Sequence, residues 1–201
     1  MRGPIDRMTE RLPSGWRTAA DWIITIVIAV GAVLAIKAWV VNPYRIPSSS
    51  MEPTLHCAEP GDGCQAGFSD RVLANRFIFH FTEPERGDIV VFDTPPTASA
   101  CEPGLGGTTF VKRIVGLPGE KLAIREGTVY IDGKPLEENY LADGPDDRSV
   151  RERVVPRDHY FMMGDNREFS CDSRDWGAVP RGNIIGEVFA VYWPPQRIGF
   201  R

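Results

Sequence analysis

The chain has 201 residues, of which 42% are hydrophobic, and its formal net charge is −4 at pH 7. This length suits one domain with a packed core, and a modest charge without a basic stripe argues against nucleic acid as a partner. Glycine and proline number 20 and 17, which is below the level of a disordered chain but predicts many turns.

The first predicted element is a membrane-spanning helix over residues 22–41, WIITIVIAVGAVLAIKAWVV. Twenty helical residues match a hydrocarbon core of about 30 Å. Four arginines lie in segment 1–21, and the positive-inside rule places this segment in the cytoplasm and residues 42–201 outside it. A cleaved signal peptide is the alternative, but the apolar stretch is longer than its usual core. We therefore expect a single-pass anchor in the cell membrane, in contact with lipid.

The cysteines predict two disulfides, because an even number outside the cytoplasm is typical of oxidised pairs. They are Cys57, Cys64, Cys101 and Cys171. Cys57 and Cys64 are the expected local pair. A zinc site formed by His56, Cys57 and Cys64 is the alternative, although its spacing does not fit the common short metal-ligand motifs.

Residues 42–201 predict a mostly β domain, because short runs rich in Val, Ile, Phe and Tyr alternate with Gly, Pro and Asp. The candidate strands are 71–79, 88–93, 110–117, 121–126, 128–132, 160–165 and 184–193. Asp132-Gly133 predicts a hairpin turn, since both residues tolerate a positive φ. The ranges 94–109 and 142–153 are predicted to be loops.

Three polar segments could carry chemistry: serines 48–50 in IPSSSMEPTL, Lys112 in FVKRIVGL, and the stretch GDNREFSCDSRDWG at 164–177. Taken singly, they are typical of a turn, a solvated strand lysine and a loop. Together they suggest a serine nucleophile with a base, which is either a histidine or a lysine made neutral. Burial would have to lower the pKa of Lys112 by roughly 2 to 3 units for this role.

The histidines His56, His80 and His159 lie in no recognisable triad context, although a triad is defined by geometry rather than by sequence. Strand alternation can turn Lys112 toward a partly apolar site. We therefore expect the lysine to be the base.

Four segments in this order, IPSSSMEPTL, RGDIVVF, FVKRIVGLPGEKL and GDNREFSCDSRDWG, closely resemble the sequence boxes of bacterial type I signal peptidases. The resemblance runs from about residue 22 to about residue 190. It implies a membrane-anchored serine endopeptidase with a Ser/Lys dyad and a β-rich catalytic domain of signal-peptidase type, without a cofactor or metal. The implied partners are the signal peptides of exported pre-proteins, cut after small residues as in Ala-x-Ala.

The resemblance also implies residue roles. Ser50 matches the nucleophile and Lys112 the general base, while Ser48 matches the hydroxyl that joins the Ser50 backbone N–H in the oxyanion hole. Ser49 fills a variable position that is commonly glycine.

The last of the four segments, GDNREFSCDSRDWG, contains three residues that the resemblance assigns to supporting the dyad. Ser170 matches the serine that orients the lysine amine, and Asp172 and Arg174 match an ion pair. From the residues alone, Asp172 and Arg174 are equally an exposed pair worth under about 1 kcal/mol.

Correspondence assigns the substrate pocket to Ile46, Pro47, Met51, Leu55, Phe110 and Val111, whose walls would exclude large side chains by clash. One alternative function is a self-cleaving Ser/Lys protease, like repressors that carry a DNA-binding domain, which this sequence lacks. The other is a non-catalytic membrane-anchored β-domain that binds exported proteins.

Overall fold

A computed structural model describes residues 14–101, 104, 106–141 and 146–201. The chain divides into two compact units, and the boundary lies between Val41 and Asn42. The first contains helix α1, Ser14–Trp39. Across the described ranges, the structure contains no helix with both the length and the apolar character needed to cross a membrane. The anchor at 22–41 stays a prediction, and most of segment 1–21 lies outside the described residues.

The second unit is mostly β, as predicted. Its described strands are β1 Val41–Arg45, β2 Arg71–Asn75, β3 Ile89–Asp93, β4 Thr109–Gly116, β5 Lys121–Arg125, β6 Thr128–Ile131, β7 Lys134–Pro135, β8 Val150–Val154, β9 His159–Met163, β10 Val179–Pro180, β11 Ile184–Trp193 and β12 Gly199–Phe200. A short helix, α2, spans Ser173–Trp176.

The strands form two sheets. The larger has the order β1-β2-β11-β3-β4-β9-β10 with β12 beside β11, and the smaller has the order β7-β6-β5-β8. Strand β4 lies between β3 and β9, and Lys112 is opposite Val90 of β3. Four successive buried residues in β3 show that this strand is covered on both faces. The larger sheet therefore brings Lys112 into the interior of the domain.

Several predicted boundaries need correction. Strand β2 ends at Asn75 rather than at residue 79, because the Asn75 side chain accepts hydrogen bonds from the backbone N–H groups of Phe77 and Ile78 and a 3-10 turn follows. Residues 150–153, predicted as the end of a loop, belong to β8, Val150–Val154, which pairs with β5. The hairpin turn is confirmed, with φ of 50° at Asp132 and 79° at Gly133.

The expected pair of disulfides is present, joining Cys57 to Cys64 and Cys101 to Cys171. The zinc alternative is wrong, because both thiols of that set are oxidised and the His56 ring contacts the Glu52 carboxylate.

The loop closed by Cys57 and Cys64 lies against the predicted serine turn. The Ser49 hydroxyl donates to the Asp62 carbonyl at 2.7 Å. A Cβ atom on Gly63 would lie 2.8 Å from that hydroxyl oxygen. Only glycine allows this approach, so the loop fixes the backbone next to Ser50.

Candidate active site

Ser50 lies in a 3-10 turn, Ser49–Met51, that follows an extended residue, Ser48. Met51 is buried in an apolar cluster of β2, β3 and β11. The backbone N–H of Asn166 donates to the Ser50 carbonyl at 3.1 Å. The turn is therefore held on one side by the core and on the other by the segment that follows β9.

The predicted nucleophile and base are in direct contact. Lys112 Nζ lies 2.5 Å from Ser50 Oγ, although the two residues are 62 positions apart in the chain. Lys112 is 2% exposed and Ser50 is 7% exposed. A hydroxyl and an amine at this distance, both shielded from water, are positioned for proton transfer.

Burial lowers the pKa of Lys112 to about 8. The carboxylates of Asp172 and Asp165 act in the opposite direction and raise it, while the Arg174 guanidinium lowers it further. With a pKa of about 8, roughly a fifth of the amine is neutral at pH 7.4, compared with about one part in a thousand for an exposed lysine. The site thus supplies a usable base near neutral pH.

Ser48 and Ser170, the two other predicted site serines, make different contacts. The Ser48 hydroxyl is 3.4 Å from Ser50 Oγ. The Ser170 hydroxyl donates to Asp172 at 2.7 Å. The hydrogen bond of the Lys112 amine goes to Ser50, so the expected orientation of the lysine by Ser170 stays a prediction. A Cβ on Gly164 would lie 2.3 Å from Ser170 Oγ and 2.4 Å from the Ser50 carbonyl oxygen. Gly164 therefore allows Ser170 to pack against the serine turn.

The supporting ion pair is buried, so the exposed-pair alternative is wrong. Arg174 donates through Nε and Nη2 to the two Asp172 carboxylate oxygens, each at 2.8 Å, and the side chains are 1% and 0% exposed. Burial raises the pKa of Asp172, but the hydrogen bonds from Arg174, Ser170 and the Gly164 N–H outweigh it and lower the pKa. Asp172 stays charged beside the dyad.

A second ion pair was missed by the sequence analysis. Arg113 follows Lys112 in β4 and donates to both oxygens of Asp165, at 2.9 Å and 2.6 Å. Asp165 also accepts from the Thr54 hydroxyl at 2.5 Å, and the Arg113 guanidinium lies 4.0 Å from the Tyr140 ring centroid. Alternation in β4 turns Lys112 and Arg113 to opposite sides. Arg113 and Asp165 stand in segments that the sequence analysis quoted, FVKRIVGL and GDNREFSCDSRDWG, but nothing in either segment indicates that they pair.

A cavity of about 130 Å³ opens beside the dyad. Five of the six predicted pocket residues line it, namely Ile46, Pro47, Met51, Phe110 and Val111. Leu55 does not, because its fully buried side chain packs in the core with Ile46 and Met51. The cavity is also lined by Tyr44, Arg45 and Thr109, which the sequence analysis did not select.

The histidines make other contacts. The His56 ring contacts Glu52, and His159 Nδ1 lies 2.8 Å from the Arg157 carbonyl. In the portion of the chain that the structure describes, no histidine is hydrogen-bonded to Ser50.

Comparison with known proteins identifies the family. The model of the family "Signal peptidase, peptidase S26" matches residues 19–193. The chain belongs to this family. A signal peptidase I of Leptolyngbya laminosa is 41% identical over 179 residues, covering 89% of this chain and 82% of the relative. A probable signal peptidase I-2 of Synechocystis sp. is 40% identical, covering 87% and 73%.

Among solved structures, a crystal structure of a signal peptidase I from Enterococcus faecalis is 32% identical and has a TM-score of 0.43. The match covers 53% of the present chain and 97% of the Enterococcus faecalis chain. Family membership identifies this protein as a signal peptidase, and hence as a hydrolase of peptide bonds.

Proposed function

We propose that this signal peptidase cuts signal peptides from exported pre-proteins with Ser50 as nucleophile and Lys112 as general base. The observation that carries the proposal is the 2.5 Å contact between Lys112 Nζ and Ser50 Oγ at a site where burial lowers the lysine pKa to about 8. A neutral amine is the only form of lysine that can accept the serine proton.

The reaction has two halves that share one base. Neutral Lys112 takes the proton of Ser50 Oγ as that oxygen attacks the carbonyl carbon, and the Ser50 N–H and Ser48 hydroxyl donate to the oxyanion. The lysine ammonium then gives its proton to the leaving amine, which leaves an ester on Ser50. Lys112 next deprotonates a water that attacks the ester, and the proton returns to Ser50.

The cavity supports a preference for small side chains next to the cut. Its wall brings Ile46, Pro47, Met51, Phe110 and Val111 around about 130 Å³, a space that excludes large residues by clash rather than by attraction. We expect alanine-sized residues at the first and third positions before the cleaved bond.

The same proposal includes the membrane anchor at 22–41, with residues 1–21 cytoplasmic and residues 42–201 extracytoplasmic. Large apolar side chains of α1 are exposed, including Trp22 at 66%, Ile26 at 55% and Val30 at 52%. Exposed apolar surface of this kind is typical of a membrane or protein contact, and in this proposal the lipid chains of the bilayer shield it from water.

Cleavage of a pre-protein by the full chain in detergent tests the dyad. Ser50→Ala and Lys112→Ala should each lower kcat/KM by about 10³-fold or more, because nucleophile and base act as a unit. His56→Ala, His80→Ala and His159→Ala are the matched controls and should keep activity.

An active Lys112→Ala variant together with an inactive histidine variant would refute the dyad. Binding of the pre-protein without any cleavage by the unmodified chain would favour the non-catalytic β-domain instead. Circular dichroism of each variant separates lost chemistry from lost folding.

A further inference from the structure

One end of the substrate cavity carries a positive charge that the proposed mechanism does not use. Arg45 lines this cavity together with Tyr44 and Thr109. A neighbouring surface cleft is lined by Pro43, Tyr44, Arg45, Arg71 and Tyr192. Arg45 therefore lies where the cavity and the cleft meet, and Arg71 places a second guanidinium in the same cleft.

Neither guanidinium is neutralised by the described part of the protein. Arg45 and Arg71 are exposed, and among the described residues neither forms an ion pair and no Asp or Glu lines either opening. Other arginines pair with buried carboxylates, as in Arg113–Asp165, Arg174–Asp172, Arg167–Glu138 and Arg197–Asp70. Unpaired charge beside a largely apolar wall creates a positive potential that favours an anionic ligand group.

Strand β4 gives a length scale for the cavity. Thr109, which lines the cavity together with Arg45, precedes Lys112 by three residues in β4. Three extended residues span roughly 10 Å. The cavity wall therefore extends from Lys112 over about three substrate residues, and we take Arg45 to lie in this outer part.

In an extended substrate, successive side chains point to opposite sides, and this indicates which substrate residue faces Arg45. If the first and third residues before the cut point into the shallow pockets, the second and fourth point to the rim. The fourth residue lies roughly 13 Å from the cut, within reach of a long, exposed arginine at the end of the cavity. The small-residue rule leaves this position free to vary.

We infer that Arg45 is a specificity-determining residue that selects a carboxylate side chain at the fourth residue before the cut, with Arg71 strengthening the positive potential. Acidic residues are favoured there and lysine or arginine is disfavoured. The inference rests on the proposed function, because it takes the position of the cleaved bond from Ser50.

A reciprocal charge exchange tests this assignment with the full chain in detergent. Three synthetic peptides carry alanine at the first and third positions before the cut and differ only at the fourth, which is Glu, Gln or Lys. For the unmodified chain, kcat/KM should fall in the order Glu, Gln, Lys, with about a 3- to 10-fold range between the ends. The range should shrink in 1 M NaCl, because exposed charges are screened.

Arg45→Glu should reverse the order of the three peptides. Arg76→Glu is the matched control, because Arg76 is also exposed but lines neither opening, and it should keep the original order. Lys112→Ala should abolish cleavage of all three peptides.

Each failure points to a different cause. If the peptides are cut but Arg45→Glu leaves their order unchanged, the inference is wrong and the Ser/Lys mechanism stands. The same rates are also measured with added phosphatidylglycerol vesicles. If Arg45→Glu leaves the order of the peptides unchanged and alters only the increase in rate that the vesicles cause, Arg45 binds lipid phosphate and the substrate assignment is overturned. If no peptide is cut, or Lys112→Ala still cuts them, the proposed function itself fails and the inference falls with it.

Discussion

The proton affinity of Lys112 results from burial opposed by two carboxylates. Burial is the largest influence and lowers the pKa, whereas Asp172 and Asp165 raise it. Because the balance leaves the pKa at about 8, the amine changes charge close to neutral pH. An exposed lysine would remain an ammonium at that pH.

The pH dependence of cleavage should report this amine. If Lys112 is the general base, it cannot act while it is protonated, so kcat/KM of the unmodified chain should rise with pH through an apparent pKa near 8 and then level off. Initial cleavage rates of one peptide are measured between pH 6 and pH 10 at constant ionic strength. A kcat/KM that keeps rising toward pH 10.5 would show that burial does not lower the pKa of Lys112.

Stability of Lys112→Met provides a check that does not depend on activity. The lysine pKa is lowered in the folded state, so the cost of burying its charge is fully present below about pH 8 and is lost as the pH rises toward 10.5. The methionine variant should therefore be more stable than the unmodified chain by up to about 3 kcal/mol at pH 7, measured by urea unfolding. That advantage should narrow by pH 10, and a constant difference would contradict the shift.

Gly164 joins the end of β9 to the serine turn, and its lack of a side chain is essential there. A Cβ at this position would lie 2.4 Å from the Ser50 carbonyl oxygen and 2.6 Å from Ser170 Cβ. Gly164→Ala should displace the turn and lower kcat/KM by about 10²-fold or more, since small misplacements of reacting groups are costly. Peptide cleavage and circular dichroism measure the effect.

Gly182→Ala is the matched control for this substitution. A Cβ on Gly182 meets nothing within 4 Å, so this variant should cleave at the unmodified rate. Full activity of Gly164→Ala would show that the packing of Ser170 against the turn does not position Ser50.

Local sequence predicted the strands whose apolar composition marks them for burial. Residues 184–193 form an apolar run with turn residues on both sides, and β11 has these same bounds. In contrast, β8 reads VRERV and is mostly exposed, so neither alternation nor apolarity marks it. It becomes a strand because β5 pairs with it, which is a non-local cause.

The same distinction holds in the site. The sequence boxes indicated Ser50 and Lys112, and the structure places them in contact. The Arg113–Asp165 pair depends on a partner 52 residues away, and no local pattern specifies it. Leu55 has the apolar character of a pocket residue, but only the packing of the core shows that it lies inside instead.

The candidate catalytic site as a whole is assembled around the central strands of the larger sheet. Strand β4 supplies Lys112 and Arg113, and the segment after β9 supplies Asp165 and Asp172. Both carboxylates are fully buried and bound by arginine. Removal of one partner would leave a charge unpaired in the interior, which typically costs about 3 to 5 kcal/mol.

Membrane attachment of the intact chain can be tested by alkaline carbonate extraction. If residues 22–41 span the bilayer, the chain should remain with the membranes, and Val30→Lys combined with Val33→Lys should release it. Each lysine near the centre of a span costs about 2.5 to 3.5 kcal/mol. Immunoblots of pellet and supernatant give the result.

Ile198→Lys is the control for added charge. Ile198 is 64% exposed and lies outside α1, so this variant should stay in the pellet. Extraction of the unmodified chain into the supernatant would refute the anchor.

The buried amine has a chemical consequence beyond peptide cleavage. An amine that keeps a free electron pair in a measurable fraction of molecules at neutral pH is a nucleophile as well as a base. Small acylating or carbamylating compounds that fit about 130 Å³ should therefore react at the Ser50–Lys112 pair in preference to hydrated surface amines. The same buried amine that would act as the proposed base would thus make the protein open to selective covalent inactivation.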